Sequence, residues 1–250
     1  MINLSNKGAL LIGGKRIGRI IANRLAKEKI NIALVYNTSK IIADETLKEI
    51  SPLVKKSCTI KADISNEKEV KNMLSIAHKK LQDISFIINL ASTFNRTPYN
   101  QLNGKDWDNS MNFAKGNYLV CLEGSKYMMK NNGKTKGHII TFGDWAATNT
   151  PYKNYLPYLT AKASIDFMTR VFATELSEYN ILVNSIAPGP TIQPPEYSQK
   201  SWDEKVIKST ALIQESSANE ISEFIITLLK SETITGETIK IDSGSHLRSR

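Results

Sequence analysis

Short apolar runs alternate along this chain with stretches of helical period. Ala9–Gly13, Ile32–Tyr36, Ser57–Ala62, Phe86–Ala91, His138–Phe142, Ile181–Ile186 and Thr238–Ile241 are apolar runs of strand length, which predicts buried strands. Between them lie predicted helices over Arg19–Glu28, Ile41–Ile50, Glu67–Leu81, most of Asp106–Lys130, the stretch reaching about Tyr179, and Glu220–Leu229. In Glu67–Leu81 the residues Val70, Met73, Leu74, Ala77 and Leu81 form one stripe, the mark of a helix with one buried face. Residues 194–217 read as an irregular segment with one short helix.

Strands separated by helices require crossover connections, which are right-handed. Sheets built this way are parallel and covered on both faces. The expectation is a single α/β domain, doubly wound, with a mainly parallel seven-stranded Rossmann-type sheet spanning 1–250. Length and composition agree: 250 residues and 41% hydrophobic content suit one core. The two cysteines, Cys58 and Cys121, are far apart with no ligand partners nearby, so neither a disulfide nor a metal site is expected and a reducing, cytoplasmic setting fits. The start of the chain has no signal-peptide layout, and no apolar run reaches membrane-spanning length. The net charge of +9 comes from scattered lysines. A solvated basic surface explains it, and no nucleic-acid motif accompanies it.

Candidate chemistry begins at Tyr158 and Lys162. Positions i and i+4 share a helix face, so a phenol and an ammonium can meet one substrate. A free phenol has a pKa near 10. A cation about 4 Å away favours the phenolate by up to ~4 kcal/mol at an effective dielectric of ~20, and a Tyr so tuned can exchange a proton with a carbonyl, imine or alcohol. Asp144 lies upstream on the same stretch. Near the start, the first strand runs into Gly13-Gly14-Lys15-Arg16-Ile17-Gly18 and then a helix. Glycines at such a turn let the backbone approach a pyrophosphate, which the helix N-terminus attracts. The second strand ends in Tyr36-Asn37-Thr38-Ser39-Lys40 with no acid to hold a ribose 2′-hydroxyl. Hydroxyls, an amide and the cations Lys15, Arg16 and Lys40 suit a 2′-phosphate instead. The expected cofactor is therefore NADP(H) over NAD(H).

These motifs together resemble the short-chain dehydrogenase/reductase family over essentially the whole chain. The resemblance assigns Asp63 and its neighbour Ile64 to the adenine. Asn89, Ala91 and Ser92 fall to the Asn-Asn-Ala-Gly motif, Asn112 to the helix Asn of the catalytic tetrad, and Tyr158 and Lys162 to its Tyr and Lys. Pro188, Gly189 and Thr191 match the turn near the nicotinamide. Gly236 and Asp242-Ser243-Gly244 resemble the C-terminal signature. Within the family the chain looks similar to pteridine reductases, through Lys15-Arg16-Ile17-Gly18-Arg19 and through Ala91-Ser92-Thr93-Phe94 with Thr97-Pro98. That likeness implies Phe94 as a stacking partner for a pterin, with Ser92, Asp144 and Tyr158 beside the substrate. It also implies hydride transfer to a C=N or C=O carbon, Tyr158 as proton donor, and Asn112 holding a water behind Lys162. Asp144 stands where most of the family has Ser. As a carboxylate it could only accept hydrogen bonds, which favours a substrate offering N–H groups or an Asp of raised pKa.

The chain departs from the family pattern at several points. Ile12 replaces a Thr, the glycine turn is one residue short, Thr38 replaces an Arg, Leu90 replaces the second Asn, and Asp144 to Tyr158 is one residue longer. Three alternatives stay open. One is a 3-oxoacyl-carrier-protein reductase, another is some other carbonyl reductase, and the third is a nucleotide-sensing or scaffold protein with weak catalysis. Residues 190–217, with Pro194, Pro195 and Trp202, are the expected substrate lid. Asp166 is expected to be an ordinary ion-pair partner. The resemblance also implies a homotetramer or homodimer joined through the helices around Asp106–Lys130 and Ala161–Tyr179, a small-molecule substrate, and neither nucleic acid nor membrane as partner.

Overall fold

In the computed structural model the described residues are 1–15, 17–148, 150–194 and 197–247. Arg16 and Pro195, both singled out above, lie outside them. Seven strands form one sheet: β1 (Gly8–Ile12), β2 (Asn31–Tyr36), β3 (Cys58–Lys61), β4 (Phe86–Asn89), β5 (Gly137–Phe142), β6 (Ile181–Pro188) and β7 (Thr238–Ile241). Their order is β3-β2-β1-β4-β5-β6-β7, and every pairing is parallel. The helices are α1 (Gly18–Lys27), α2 (Lys40–Ile50), α3 (Glu67–Leu81), α4 (Gly104–Met128), α5 (Leu156–Leu176), α6 (Gln199–Lys205) and α7 (Ala218–Lys230).

The side-chain alternation of the strands explains the two-sided core. On β1, Ala9 and Leu11 pack with Ile21 and Leu25 of α1, Ile50 of α2 and Ile225 of α7. Leu10 and Ile12 face the other way, among Met73 of α3, Val120 of α4 and Leu176 of α5. A strand buried on both faces reads as a continuous apolar run, which is why these strands were visible in the sequence. Each fully buried aliphatic side chain contributes roughly 1.5–3 kcal/mol.

Local signals set the helix ends. Asn66 caps α3 by accepting from the backbone N–H groups of Lys68 and Glu69. Asn103 and Asp106 form a reciprocal capping box at the start of α4. Close approaches fix the packing of α4. A Cβ added to Gly116 would sit 2.6 Å from the side chain of Ile64, and one on Gly124 would sit 2.2 Å from Ile87.

The strand order reverses between β1 and β4. In such sheets the crevice outside the carboxyl ends of the strands at that reversal is where ligands bind. The glycine turn follows β1 and Asn89 ends β4, so both motifs meet there. Among the described residues, no helix is long and apolar enough to cross a membrane. No group of three or more His, Cys, Asp or Glu among them could hold a metal ion. Cys58 and Cys121 are free thiols, and burial pushes the Cys121 pKa up to about 12.

Candidate active site

The backbone dominates the glycine-turn end of the crevice. Gly13 has φ +81°, and a Cβ there would lie 3.0 Å from the Ala91 nitrogen. A Cβ on Gly18 would lie 2.9 Å from the Gly13 carbonyl oxygen. Gly14 differs: a Cβ there meets nothing within 4 Å, so its outer side faces open space. Ile17 precedes α1 without a side-chain cap, and the first turn carries no acid. The free N–H groups and the positive end of the helix are thus left for an anion. A pocket lined by Gly14, Gly18, Arg19, Tyr36 and Ser39 opens between this turn and the end of β2. These features fit the phosphate end of a nucleotide: a cradle without side chains for the pyrophosphate, with only a small cleft beside it at the end of β2.

The cations near that cleft are paired. Lys40 Nζ donates to Asp44 at 2.5 Å, and Arg19 forms a two-pronged ion pair with Glu49. Both pairs are largely solvent-exposed, where such contacts contribute little. Lys15, Asn37 and Thr38 are exposed.

Asp63 accepts at Oδ1 from the backbone N–H and hydroxyl of Ser65. It shapes the turn after β3, while Ile64 is the buried residue against which α4 rests. Asn89 accepts from Ala91 N–H at 3.1 Å and donates to Asn117 Oδ1 at 3.0 Å. Asn117 in turn donates to the Phe113 carbonyl at 2.9 Å, so a buried amide pair ties the end of β4 to α4. Ser92 is exposed and donates to the Thr93 carbonyl. At the end of β6, Gly189 donates to Ile241 at 3.0 Å, and a Cβ on it would lie 2.6 Å from Asp242 Cα. Pro188 is the last residue of β6, and Thr191 donates back to the Gly189 carbonyl. Asp242 braces its own turn through Gly244 and His246.

Side chains dominate the other end. Asp144 lies two residues past β5, and Tyr158 and Lys162 stack along α5. Tyr158 Oη donates to Asp144 Oδ2 at 2.7 Å. Tyr152 Oη donates to the same oxygen at 3.1 Å, and Ala146 N–H donates to Oδ1 at 2.9 Å. Lys162 is 3% exposed, and its Nζ donates to the Phe142 carbonyl at 2.6 Å. Burial lowers the Lys162 pKa from 10.5 to about 8, with the Asp144 charge working against the fall. Burial raises the Asp144 pKa above the usual carboxylate value. The Ala146 N–H, the Tyr158 hydroxyl, the Lys162 charge and the Tyr152 hydroxyl oppose that rise. The carboxyl and the ammonium therefore both sit closer to neutrality than in water, the arrangement suited to proton transfer.

Aromatic rings enclose this cluster. Phe94 stacks on Tyr155 with centroids 4.6 Å apart and meets Tyr158 edge-on at 5.1 Å. Tyr152 meets Tyr155 edge-on at 5.1 Å and lies tilted against Trp145 at 5.9 Å. Phe94 remains 40% exposed. The stacking partner seen for Phe94 is Tyr155, a residue of the chain itself.

Asn112 requires a correction. The α4 side chain facing Lys162 is Phe113, whose ring centroid lies 5.8 Å from Nζ and 6.3 Å from the Tyr158 ring. Successive residues on a helix point about 100° apart, so with Phe113 turned inward Asn112 is turned away. Asn112 is exposed and does not reach the back of Lys162, where an apolar ring stands. Asp166 also exceeds its expected role. It is 4% exposed and accepts from the Thr238 hydroxyl as well as lying 3.7 Å from Arg170, so it ties α5 to β7. In the expected lid segment, α6 carries Trp202, which is buried and donates to Glu215.

Sequence reasoning missed Phe113, Asn117, Tyr152 and Tyr155. A signal for the last two was present: Tyr152, Tyr155 and Tyr158 recur at intervals of three.

Comparison with known proteins adds to this geometry. A family model described as enoyl-(acyl carrier protein) reductase matches residues 14–246. Glucose 1-dehydrogenase 2 of Bacillus subtilis is 28% identical over 253 aligned residues, covering 98% of this chain and 96% of that protein. A hydroxynaphthalene reductase-like protein of Metarhizium guizhouense is 28% identical over 202 residues, covering 80% of this chain and 73% of its own. Among solved structures, a short-chain dehydrogenase/reductase of Serratia marcescens superposes with a TM-score of 0.88 at 24% identity, covering 98% of this chain and all of that one. A short-chain dehydrogenase of Burkholderia cenocepacia, solved in complex with NADP, gives the same score and identity over 98% of this chain and 99% of its own. Fold, crevice and sequence relationship agree: the chain belongs to the short-chain dehydrogenase/reductase family and is an oxidoreductase of that family.

Proposed function

We propose that the protein is an NADPH-dependent reductase that adds hydride to a C=N or C=O carbon, with Tyr158 as proton donor. The observation that carries this reading is the 2.7 Å bond from Tyr158 to Asp144, made beside a buried ammonium of lowered pKa. A bound NADPH supplies the hydride. The residues that would hold it are the Gly13, Gly14 and Gly18 turn with Lys15, Arg16 and Ile17, the Asn37–Ser39 end of β2, Asp63 and Ile64. On the nicotinamide side they are Asn89, Ala91, Ser92, Pro188, Gly189 and Thr191, with Tyr158 and Lys162. Three features favour NADPH over NADH: the absence of an acid over Tyr36–Ser39, the nearness of Lys40 and Arg19, and the NADP held by the Burkholderia relative. Lys40 is bound to Asp44 by an exposed contact, so exchanging that partner for a phosphate costs little.

Two substrate classes follow from Asp144. As a carboxylate it accepts N–H groups, which suits a pterin ring beside the aromatic edge of Phe94 and makes a dihydropteridine the first candidate. With its raised pKa it can also carry a proton and donate to a carbonyl oxygen. That keeps a carbonyl reductase, such as one acting on 3-oxoacyl groups, as the second reading. Residues 190–217 act as the substrate lid in this account. Assembly through α4 and α5 is part of it too, because these helices leave Tyr118, Phe167 and Val171 exposed at 44%, 60% and 41%. A monomeric mass by sedimentation would contradict that assembly.

The test is NADPH oxidation by wild type and by Tyr158→Phe against a dihydropterin and a 3-oxoacyl ester. Wild type should turn over one class. The variant should lose about a hundredfold or more of kcat while binding NADPH as before. Retention of most activity in Tyr158→Phe would remove the proton-donor role.

A further inference from the structure

Resting on that reading, we propose that protons reach Tyr158 through Asp144 and Tyr152, not from behind Lys162. Two independent observations carry this. First, one carboxylate oxygen joins two phenols: Asp144 Oδ2 accepts from Tyr158 at 2.7 Å and from Tyr152 at 3.1 Å. Second, the contacts found beside Lys162 Nζ are a backbone carbonyl and aromatic rings. Nζ spends a hydrogen bond on the Phe142 carbonyl, and the Phe113 ring lies 5.8 Å from it. A ring offers no acceptor or donor with which to hold a water chain.

The path in the opposite direction is polar. Tyr152 is half-buried and sits on the connection between β5 and α5, at the edge of the aromatic cluster. Among the described residues, the groups that act on Asp144 are the Tyr152 and Tyr158 hydroxyls, the Ala146 N–H and the Lys162 ammonium. From α4 the neighbouring side chain, Phe113, is uncharged.

The relay balances as follows. Tyr158 gives its proton to the substrate heteroatom as hydride reaches the adjacent carbon. Tyr152 passes its hydroxyl proton to Asp144 Oδ2 as Oδ2 passes a proton on to Tyr158 Oη. An Oδ2–H bond thus forms and breaks in one concerted movement, the Tyr158 Oη–H bond re-forms, and the Tyr152 proton is replaced from water. The net result is one hydride from NADPH and one solvent proton added to the substrate. Tyr152 acts through Asp144, so it is a positioning residue of the site.

The test is Tyr152→Phe, which keeps the ring and deletes the hydroxyl. Expected is a fall in kcat of about tenfold or more, with KM for NADPH and substrate changed less than about twofold. In the cofactor-free protein carrying 13C-labelled aspartate, the Asp144 carboxyl resonance should titrate at higher pH in the variant, because a donor to the carboxylate has been lost. The upper limb of the kcat–pH profile should move the same way. The proton inventory in H2O–D2O mixtures should change from several protons in flight to fewer. Unaltered kcat and pH profile would overturn the relay, as would a lost kcat with an unmoved Asp144 titration. Failure here is distinct from failure of the reductase reading, which an active Tyr158→Phe would reveal.

Discussion

The two ends of the crevice are built from different materials. At the glycine turn the groups offered are backbone N–H donors, a helix end and absent side chains, and the nearby cations Arg19 and Lys40 are exposed and ion-paired. Past β5 the recognising groups are hydroxyls, a carboxyl and an ammonium, packed among six aromatic rings. The first end works by leaving room. The second works by excluding water, so that burial itself shifts the Asp144 and Lys162 titrations towards each other.

The dry character continues down β5, and the largest expected effect lies there. His138 is 1% exposed, and neither ring nitrogen has a partner among the described residues. Burial lowers its pKa from 6.5 to about 4. The unfolded chain takes up a proton at pH values where the folded chain stays neutral. Stability is therefore complete above about pH 6.5 and is lost as pH falls towards 4, by about 3 kcal/mol at most. Chemical denaturation of wild type and His138→Leu between pH 4 and 7 measures this. The variant should lack that component of the slope, and parallel profiles would show that His138 is solvated.

The glycines sharpen the contrast at the other end. Gly13→Ala should destabilise the free protein by about 1–2 kcal/mol, because an L-residue is disfavoured at φ +81°. Gly14→Ala should leave thermal stability within about 0.5 kcal/mol, since its Cβ meets nothing. On the proposed reading, in which the pyrophosphate approaches through that open space, it should nonetheless weaken NADPH about tenfold. Thermal melts and cofactor titrations on both variants check the pair. An unweakened Gly14→Ala would place the cofactor elsewhere.

The same contrast explains what the sequence could tell. The strands were legible because burial on both faces makes them unbroken apolar runs, as in Ala9–Ile12. The glycine turn was legible because few residue types fit a turn of that shape. Tyr158 and Lys162 were legible through helical spacing. The aromatic end was less so, because a packed ring looks the same in a sequence whether it faces a core or a site. Phe113 is the plain case. Asn112, one position earlier, has the residue type the tetrad needs, and only the rotation of α4 decides which of the two faces Lys162. Tyr152 shares the three-residue recurrence with Tyr155 and Tyr158 but lies on the loop ahead of α5, so its contact with Asp144 depended on the path of that loop. Asn117 is similar, since its partner Asn89 is 28 residues away.

A single measurement reaches the centre of the account: fluorescence titration of the purified protein with NADPH and with NADH. Trp145 lies at the aromatic end, buried at 4% exposure and 5.9 Å from the Tyr152 ring, so occupation of the crevice should change its emission. The account predicts saturable NADPH binding, at least about tenfold tighter than NADH, a difference of roughly 1.4 kcal/mol. Equal or tighter NADH binding would contradict the reading of residues 36–40. Binding of neither would contradict the reductase itself and leave a scaffold that keeps the fold without the cofactor.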